Sequence, residues 1–161
     1  MRSGPCPVQR AFRAALAVVL AAGLGAFPAA AAWLLIPMDG AQSDHLRAYG
    51  LTYWCLDAPR AYQCEWLLNY RGGSFLVPDA SDVRSRAAEL GVAFRPLTEA
   101  EAGAIYNEIR GANMERIALT RAARIGVYIP PDREPWDDAV TLALTYAQVR
   151  FEKLWDREIL A

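Results

Sequence analysis

Two short acidic segments could form a binding site in this chain, because each places carboxylates just after an apolar run. The first segment holds Asp39, Asp44 and His45, and the second holds Asp132 and Asp137. Carboxylate oxygens and an imidazole can bind a divalent cation or an amine-bearing ligand. If the segments lie side by side, they predict a ligand crevice. Alternatively, the acids sit at helix N-termini in contact with solvent, and the only histidine is a surface residue.

An internal repeat relates the two segments, with an offset of 93 positions and seven identities over 21. In both copies an apolar run leads through a tight acidic turn into a helix. In open α/β sheets, ligands bind where strands are followed by helices, so the repeat predicts a site at this edge. The identical pairs are Ile36/Ile129, Pro37/Pro130, Asp39/Asp132, Asp44/Asp137, Leu51/Leu144, Thr52/Thr145 and Tyr53/Tyr146.

The segment NYRGGSF is a second candidate site. Arg71 beside Gly72 and Gly73 could present backbone N–H groups to a carboxylate or phosphate. The same residues also favour a hairpin turn, since glycine accepts a positive φ. No phosphate-binding loop, nucleophile elbow or metal-spaced histidine pair occurs in the sequence. The sequence therefore assigns no catalytic residue, no metal and no cofactor.

The elements that would position these residues predict an α/β fold with a mostly parallel sheet built from strand–helix units. Continuous apolar runs ending in proline are typical of strands covered on both faces. We expect strands in WLLIP, YQCEWLLNY, FLVP, VAFRPL, RIGVYIPP and RFEKLWDREIL.

Three helices have recognisable ends. Ser43 is a candidate N-cap for the first helix, whose apolar residues Leu46, Tyr49, Tyr53 and Leu56 recur at helical spacing and would face the sheet. A second helix runs from Ser81 to a glycine, Gly91. The third begins at Thr98 and Glu101, which have the spacing of a capping box.

The first 32 residues have the three parts of an export signal: arginines, an apolar run and a small-residue cleavage site near Ala32. The alternative is an uncleaved anchor, but the apolar run is shorter than the ~20 residues that span a bilayer. The sequence thus predicts a periplasmic or secreted protein with no stable membrane span after cleavage.

Export affects the interpretation of Cys55 and Cys64, which flank the loop LDAPRAYQ. Two cysteines that close a short loop in an oxidising compartment favour a disulfide. The alternative, a catalytic thiol, needs a basic partner and a strand-to-helix elbow, and neither is visible in the sequence.

The charge pattern excludes nucleic acid as a partner. The net charge is −1, and because Arg2, Arg10 and Arg13 belong to the signal, the remainder carries −4. There is no basic run, and Lys153 is the single lysine. A small-molecule ligand is a candidate partner, and the sequence leaves the oligomeric state open.

The segments IPMDGAQSDHLRAYGLTYW, EWLLNYRGGSF, ANMERIAL and YIPPDREPWDDAVTLALTYA together resemble a family of exported bacterial proteins commonly labelled asparagine synthetase B. The resemblance covers nearly all of the chain after the signal. It implies that the DDAVTLAL segment opens a domain similar to class I glutamine amidotransferases. In that family the chains are longer, and the candidate cysteine nucleophile comes beyond the point where this sequence ends.

The sequence predicts three regions: a signal peptide at 1–32, a first α/β unit at 33–123, and the start of a second α/β unit at 124–161, which the resemblance implies is amidotransferase-like. The implied function is the N-terminal part of an exported, amidotransferase-like protein acting on an amide or small nitrogenous compound. No complete active site is expected within these residues. The alternative is a non-catalytic periplasmic module that binds a ligand or a partner.

Overall fold

A computed structural model describes residues 32–128 and 139–159. The first part of the chain alternates strands and helices around one sheet. Its elements are β1 (Trp33–Ile36), α1 (His45–Leu56), β2 (Cys64–Leu68), a 3₁₀ turn (Tyr70–Gly72), β3 (Phe75–Pro78), α2 (Ser81–Leu90), β4 (Arg95–Leu97), α3 (Glu99–Arg110) and β5 (Glu115–Leu119).

The five strands form a sheet in the order β4-β1-β3-β2-β5, and every neighbouring pair is antiparallel. The prediction of a mostly parallel sheet is therefore wrong. Residues 69–74 join β2 to β3 as a short turn, and so short a connection can only reverse the chain. The crossovers through α1 and α2 each skip one strand, so the parallel strands never become neighbours.

Elements β1 to β4 have the β-α-β-β-α-β connectivity of ferredoxin-like folds. Two further elements extend this arrangement. Helix α3 leaves β4 at one edge of the sheet, and β5 pairs with β2 at the other edge, from Cys64 opposite Leu119 to Leu68 opposite Glu115. The sheet is thereby covered on both faces.

The two faces of the sheet are separated by the alternation of side chains along each strand. In β1, Leu34 and Ile36 point into the core shared with α1 and α2, whereas Leu35 points into the core under α3. All three are fully buried. This alternation explains why β1 is apolar throughout, as the sequence predicted for a strand covered on both sides.

Helix α1 buries a stripe that matches the predicted one only in part, since Leu56 is buried as predicted. Its sheet-facing residues include Ala48, Leu51 and Cys55, each 0% exposed, while Leu46 and Tyr49 are 44% and 46% exposed. The small residues let the helix lie close to the sheet, and this arrangement outweighs the pattern of large apolar residues.

The helix ends are mostly as predicted. The capping box at Thr98 and Glu101 is confirmed, because both reciprocal hydrogen bonds form. Helix α2 starts at Ser81 and ends before Gly91, whose φ is +67°. The cap of α1 is one residue later than expected, since the side chain of Asp44, not that of Ser43, accepts a hydrogen bond from the backbone of Arg47 at 3.0 Å.

The remaining described elements are β6 (Gly126–Tyr128), α4 (Ala139–Tyr146), β7 (Glu152–Leu154) and α5 (Asp156–Ile159). Strands β6 and β7 are parallel and pair from Gly126 opposite Glu152 to Tyr128 opposite Leu154. We call residues 126–154, as far as described, the parallel unit. The predicted boundary between residues 123 and 124 falls between β5 and β6, and the division into two units stays a prediction.

The predicted export signal lies outside the described residues except for Ala32. Among the helices of the described part, none is long and apolar enough to cross a bilayer.

Candidate functional site

The predicted acidic turn after β1 is anchored by an ion pair within the first unit. Arg71 donates two hydrogen bonds to Asp39, from Nε to Oδ2 at 2.7 Å and from Nη2 to Oδ1 at 3.2 Å. The Arg71 guanidinium lowers the pKa of Asp39, and the carboxylate in turn raises the pKa of Arg71. The structure thus brings together two predicted site residues, but each already has its ionic partner.

The RGGS segment is a tight turn that supports this pair. Arg71, Gly72 and Gly73 have φ values of +46°, +79° and +90°. A Cβ on Gly72 would lie 2.3 Å from the carbonyl oxygen of Met38, so only glycine allows the approach. The Gly73 carbonyl accepts a hydrogen bond from the Trp66 indole at 3.0 Å. These contacts favour the turn interpretation of the segment over an anion-binding loop.

Asp44 and His45 also have contacts within the fold. Asp44 caps α1 and accepts a hydrogen bond from the Tyr146 hydroxyl at the end of α4. This hydroxyl, followed by the Arg47 backbone N–H, lowers the pKa of Asp44. The Nε2 atom of His45 lies 3.2 Å from the carbonyl oxygen of Met38 and can donate to it.

Only the first of the two acidic segments that were predicted to converge lies within the described residues. Asp39, Asp44 and His45 share the connection between β1 and α1, but Asp132 and Asp137 lie outside the described residues. The common crevice therefore stays a prediction. Within residues 32–128 and 139–159, no group of three His, Cys, Asp or Glu side chains could hold a metal ion.

The two cysteines meet in the core under α1. Cys55 and Cys64 are 0% and 1% exposed, and the structure holds both as free thiols. The neighbouring Cys64 thiol, followed by burial, raises the pKa of Cys55, which disfavours the thiolate a nucleophile needs. The proximity of the two residues is consistent with the expected disulfide, which stays a prediction.

Sequence reasoning missed a partly buried polar cluster between β2, β5 and α3. Glu65, only 7% exposed, accepts hydrogen bonds from the Tyr106 hydroxyl at 2.8 Å and from Arg116 Nε at 2.9 Å. Burial and the Glu65 carboxylate raise the pKa of Tyr106. The one signal was a glutamate in the middle of the apolar strand CEWLL. A groove of about 370 Å³ adjoins this cluster, lined by Tyr106, Ile109, Arg110, Ala112, Met114, Glu115 and Arg116.

A larger opening, which we call the seam cleft, lies between α1 and the parallel unit and has a volume of about 410 Å³. Its charged residues are far apart in sequence, so no local motif could have predicted it. The lining residues are Tyr53, Asp57, Ala122, Ala123, Arg124, Ile125, Arg150, Phe151 and Glu152.

A comparison of the chain with protein-family models, curated proteins and solved structures finds no match.

Proposed function

We propose that this chain is the N-terminal part of an exported amidotransferase-like protein that acts on an amide or another small nitrogenous compound. The reacting groups come from a more C-terminal domain that the parallel unit begins. The observation that carries this proposal is the packing of the parallel unit, which differs from that of the five-stranded sheet.

The parallel unit leaves much apolar surface exposed. Helix α4 has the sequence AVTLALTY, yet Thr141 is its only buried residue in the described structure. Leu142 and Tyr146 are 56% and 48% exposed, and Ile159 in the following helix is 53% exposed. A helix that is apolar almost all round normally packs against other elements on several sides.

The strands of the parallel unit support the same conclusion. Parallel sheets occur almost only where helices cover both faces, and two strands alone are marginal. β6 and β7 are a two-stranded parallel pair. Further strand–helix units beside them would bury this surface, as the resemblance to the amidotransferase-like family implies.

The second candidate function is a non-catalytic periplasmic module that binds a ligand or a partner. The chemistry of the described residues favours this alternative. Cys55 is a buried thiol with a raised pKa. Asp39 is paired with Arg71. The His45 ring is within hydrogen-bonding distance of a backbone carbonyl. None of these contacts forms a nucleophile–base pair.

The test begins with the source gene downstream of codon 161. We expect an in-frame continuation that encodes a further strand, a cysteine at a strand-to-helix turn and a later histidine. The product of the whole frame should release ammonia from a panel of small amides, including glutamine and asparagine. Replacing the new cysteine by serine should abolish the release, with the expression level unchanged.

A stop codon directly after Ala161, together with a stable secreted product, would overturn the proposal and favour the module. Hydrogen exchange provides a structural readout that does not depend on activity. In the longer product, the amides of α4 should exchange at least tenfold more slowly than in the 161-residue chain, because the helix is then covered.

A further inference from the structure

We propose that the seam cleft binds a small zwitterion, a molecule that carries one carboxylate and one ammonium group. This inference does not rest on the proposed function. The cleft lies beside the residues that precede β6 and β7, at the amino ends of these strands. In parallel α/β sheets, substrates bind at the carboxyl ends of the strands. The seam cleft is therefore separate from an active site at the carboxyl ends of β6 and β7.

The cleft has walls from both parts of the chain. Tyr53 and Asp57 come from the C-terminal end of α1 and the residue after it, whereas residues 122–125 and 150–152 lead into β6 and β7. The Tyr53 hydroxyl donates a hydrogen bond to the carbonyl oxygen of Arg150 at 3.4 Å. A molecule in the cleft would thus contact both sides of the seam.

The charges around the cleft are balanced. Arg124 pairs with Glu152 at 3.2 Å, and Arg150 pairs with Asp57. Two guanidinium groups and two carboxylates therefore surround one opening. A ligand with a single charge can bind either the guanidinium groups or the carboxylates, but a zwitterion can bind both.

The Arg124–Glu152 ion pair can open at little cost. Its side chains are 89% and 66% exposed, and ion pairs between exposed side chains contribute little to stability. Arg124 can then bind the ligand carboxylate through two parallel N–H bonds, while Glu152 accepts a hydrogen bond from the ammonium group. Asp57, whose side chain is 15% exposed, holds Arg150 in place on the opposite wall.

The rest of the lining is largely apolar. Ile125, Phe151 and two alanines line the cleft together with the charged groups. A volume of about 410 Å³ is within the range of small-molecule sites, which is about 300–1,000 Å³. This volume accommodates zwitterions with carbon chains of different lengths, so the experiment compares several of them.

In the experiment, glycine, β-alanine and γ-aminobutyrate are each titrated into the full mature chain, and binding is followed by NMR. These three zwitterions differ in the separation of their charges. Acetate and ethylamine are the single-charge controls. We expect one zwitterion to give saturable shifts of the amide signals of residues 122–125 below about 10 mM. Acetate and ethylamine should bind at least tenfold more weakly.

Two variants test the assigned residues, and both positions are exposed enough to keep the fold. Arg124→Gln and Glu152→Gln should each weaken binding of the favoured zwitterion at least fivefold. The matched control is Arg110→Gln, an exposed arginine on α3 outside the cleft, which should leave the affinity unchanged.

Three results would overturn the proposal: no saturable shift with any zwitterion, equal binding of acetate or ethylamine, or unchanged affinity in both cleft variants. A loss of binding in Arg110→Gln equal to that in Arg124→Gln would also contradict it, because it would show a general effect of positive charge.

Discussion

The two copies of the internal repeat begin with similar sequences and are packed differently. In the first copy, Leu51 of α1 is fully buried between the helix and an antiparallel sheet. Its counterpart, Leu144, is only half-buried on α4, a helix that contacts α1. In both copies the described residues place a strand before a helix, whereas the direction of strand pairing and the burial of the helix differ. Four experiments test this difference.

The largest contrast is expected between Leu51→Ala and Leu144→Ala. The first removes a fully buried side chain and should lower the free energy of unfolding by about 2–5 kcal/mol. The second should cost less, about 1–2 kcal/mol, because the Leu144 side chain is only partly buried. Urea unfolding followed by circular dichroism measures both, and equal losses would contradict the difference in packing.

The connections after the two helices differ in their cysteines. Cys55 and Cys64 flank the loop after α1, whereas residues 147–161, which follow α4, contain no cysteine. If the expected disulfide forms, the exported protein should have no reactive thiol when unfolded without reductant. Reduction should then lower the free energy of unfolding by about 2–3 kcal/mol. Alkylation followed by intact-mass measurement counts the free thiols. Two alkylated cysteines before reduction would exclude the disulfide.

The contact between the copies depends on a position at which the repeats differ. Gly50 of α1 corresponds to Ala143 of α4, and a Cβ on Gly50 would lie 1.8 Å from the carbonyl oxygen of Ala147. Gly50→Ala should therefore destabilise the contact by about 1–3 kcal/mol and speed hydrogen exchange in α4.

The control is Gly103→Ala in α3, where an added Cβ meets no atom within 4 Å. This change should stabilise the protein by about 0.5–1 kcal/mol, because alanine favours the helix. The same sign for both variants would show that α4 does not lie against Gly50.

The smallest effect concerns the paired tyrosines of the repeat. The Tyr146 hydroxyl is the largest cause of the lowered pKa of Asp44, whereas that of Tyr53 bonds to a backbone carbonyl. Tyr146→Phe should raise the pKa of Asp44 toward its ordinary value, and Tyr53→Phe should leave it unchanged. NMR titration of the carboxyl carbon measures both.

The direction of the pH effect follows from the lowered pKa. Ionised Asp44 stabilises the fold above its ordinary pKa, near pH 4, and this contribution is lost as the pH falls through the lower folded value. Tyr146→Phe should therefore reduce the acid sensitivity of stability. An unchanged pKa for Asp44 would exclude the contact with α4.

Local features were predictable from sequence, and long-range ones were not. The capping box at Thr98 and the end of α2 at Gly91 depend on neighbouring residues, and both were predicted correctly. Strand direction depends on which strands become neighbours, and the pattern of β1 is the same in parallel and antiparallel sheets when both faces are covered.

The candidate site shows the same division. Sequence reasoning selected Asp39 and Arg71, but their mutual pairing depends on the pairing of β3 with β1, which places the turn between β2 and β3 beside the end of β1. The seam cleft joins Asp57 to residues more than 60 positions later, and its charges form no motif. The Glu65 cluster gave one signal, a charge within an apolar strand, but the sequence did not identify Tyr106 and Arg116 as its partners.

Helix α3 and strand β5 make the second face of the sheet depend on one contiguous segment. The ferredoxin-like elements end at Leu97, and the α3 residues Ile105 and Ile109, which share a core with Leu35, Leu67 and Leu76, come afterwards. During synthesis, the four-stranded sheet can therefore form while its second apolar face is still exposed to solvent. If translation pauses before α3 emerges from the ribosome, chaperones can bind this apolar face. The packing of α3 then covers the face and reduces the tendency of the nascent chain to aggregate.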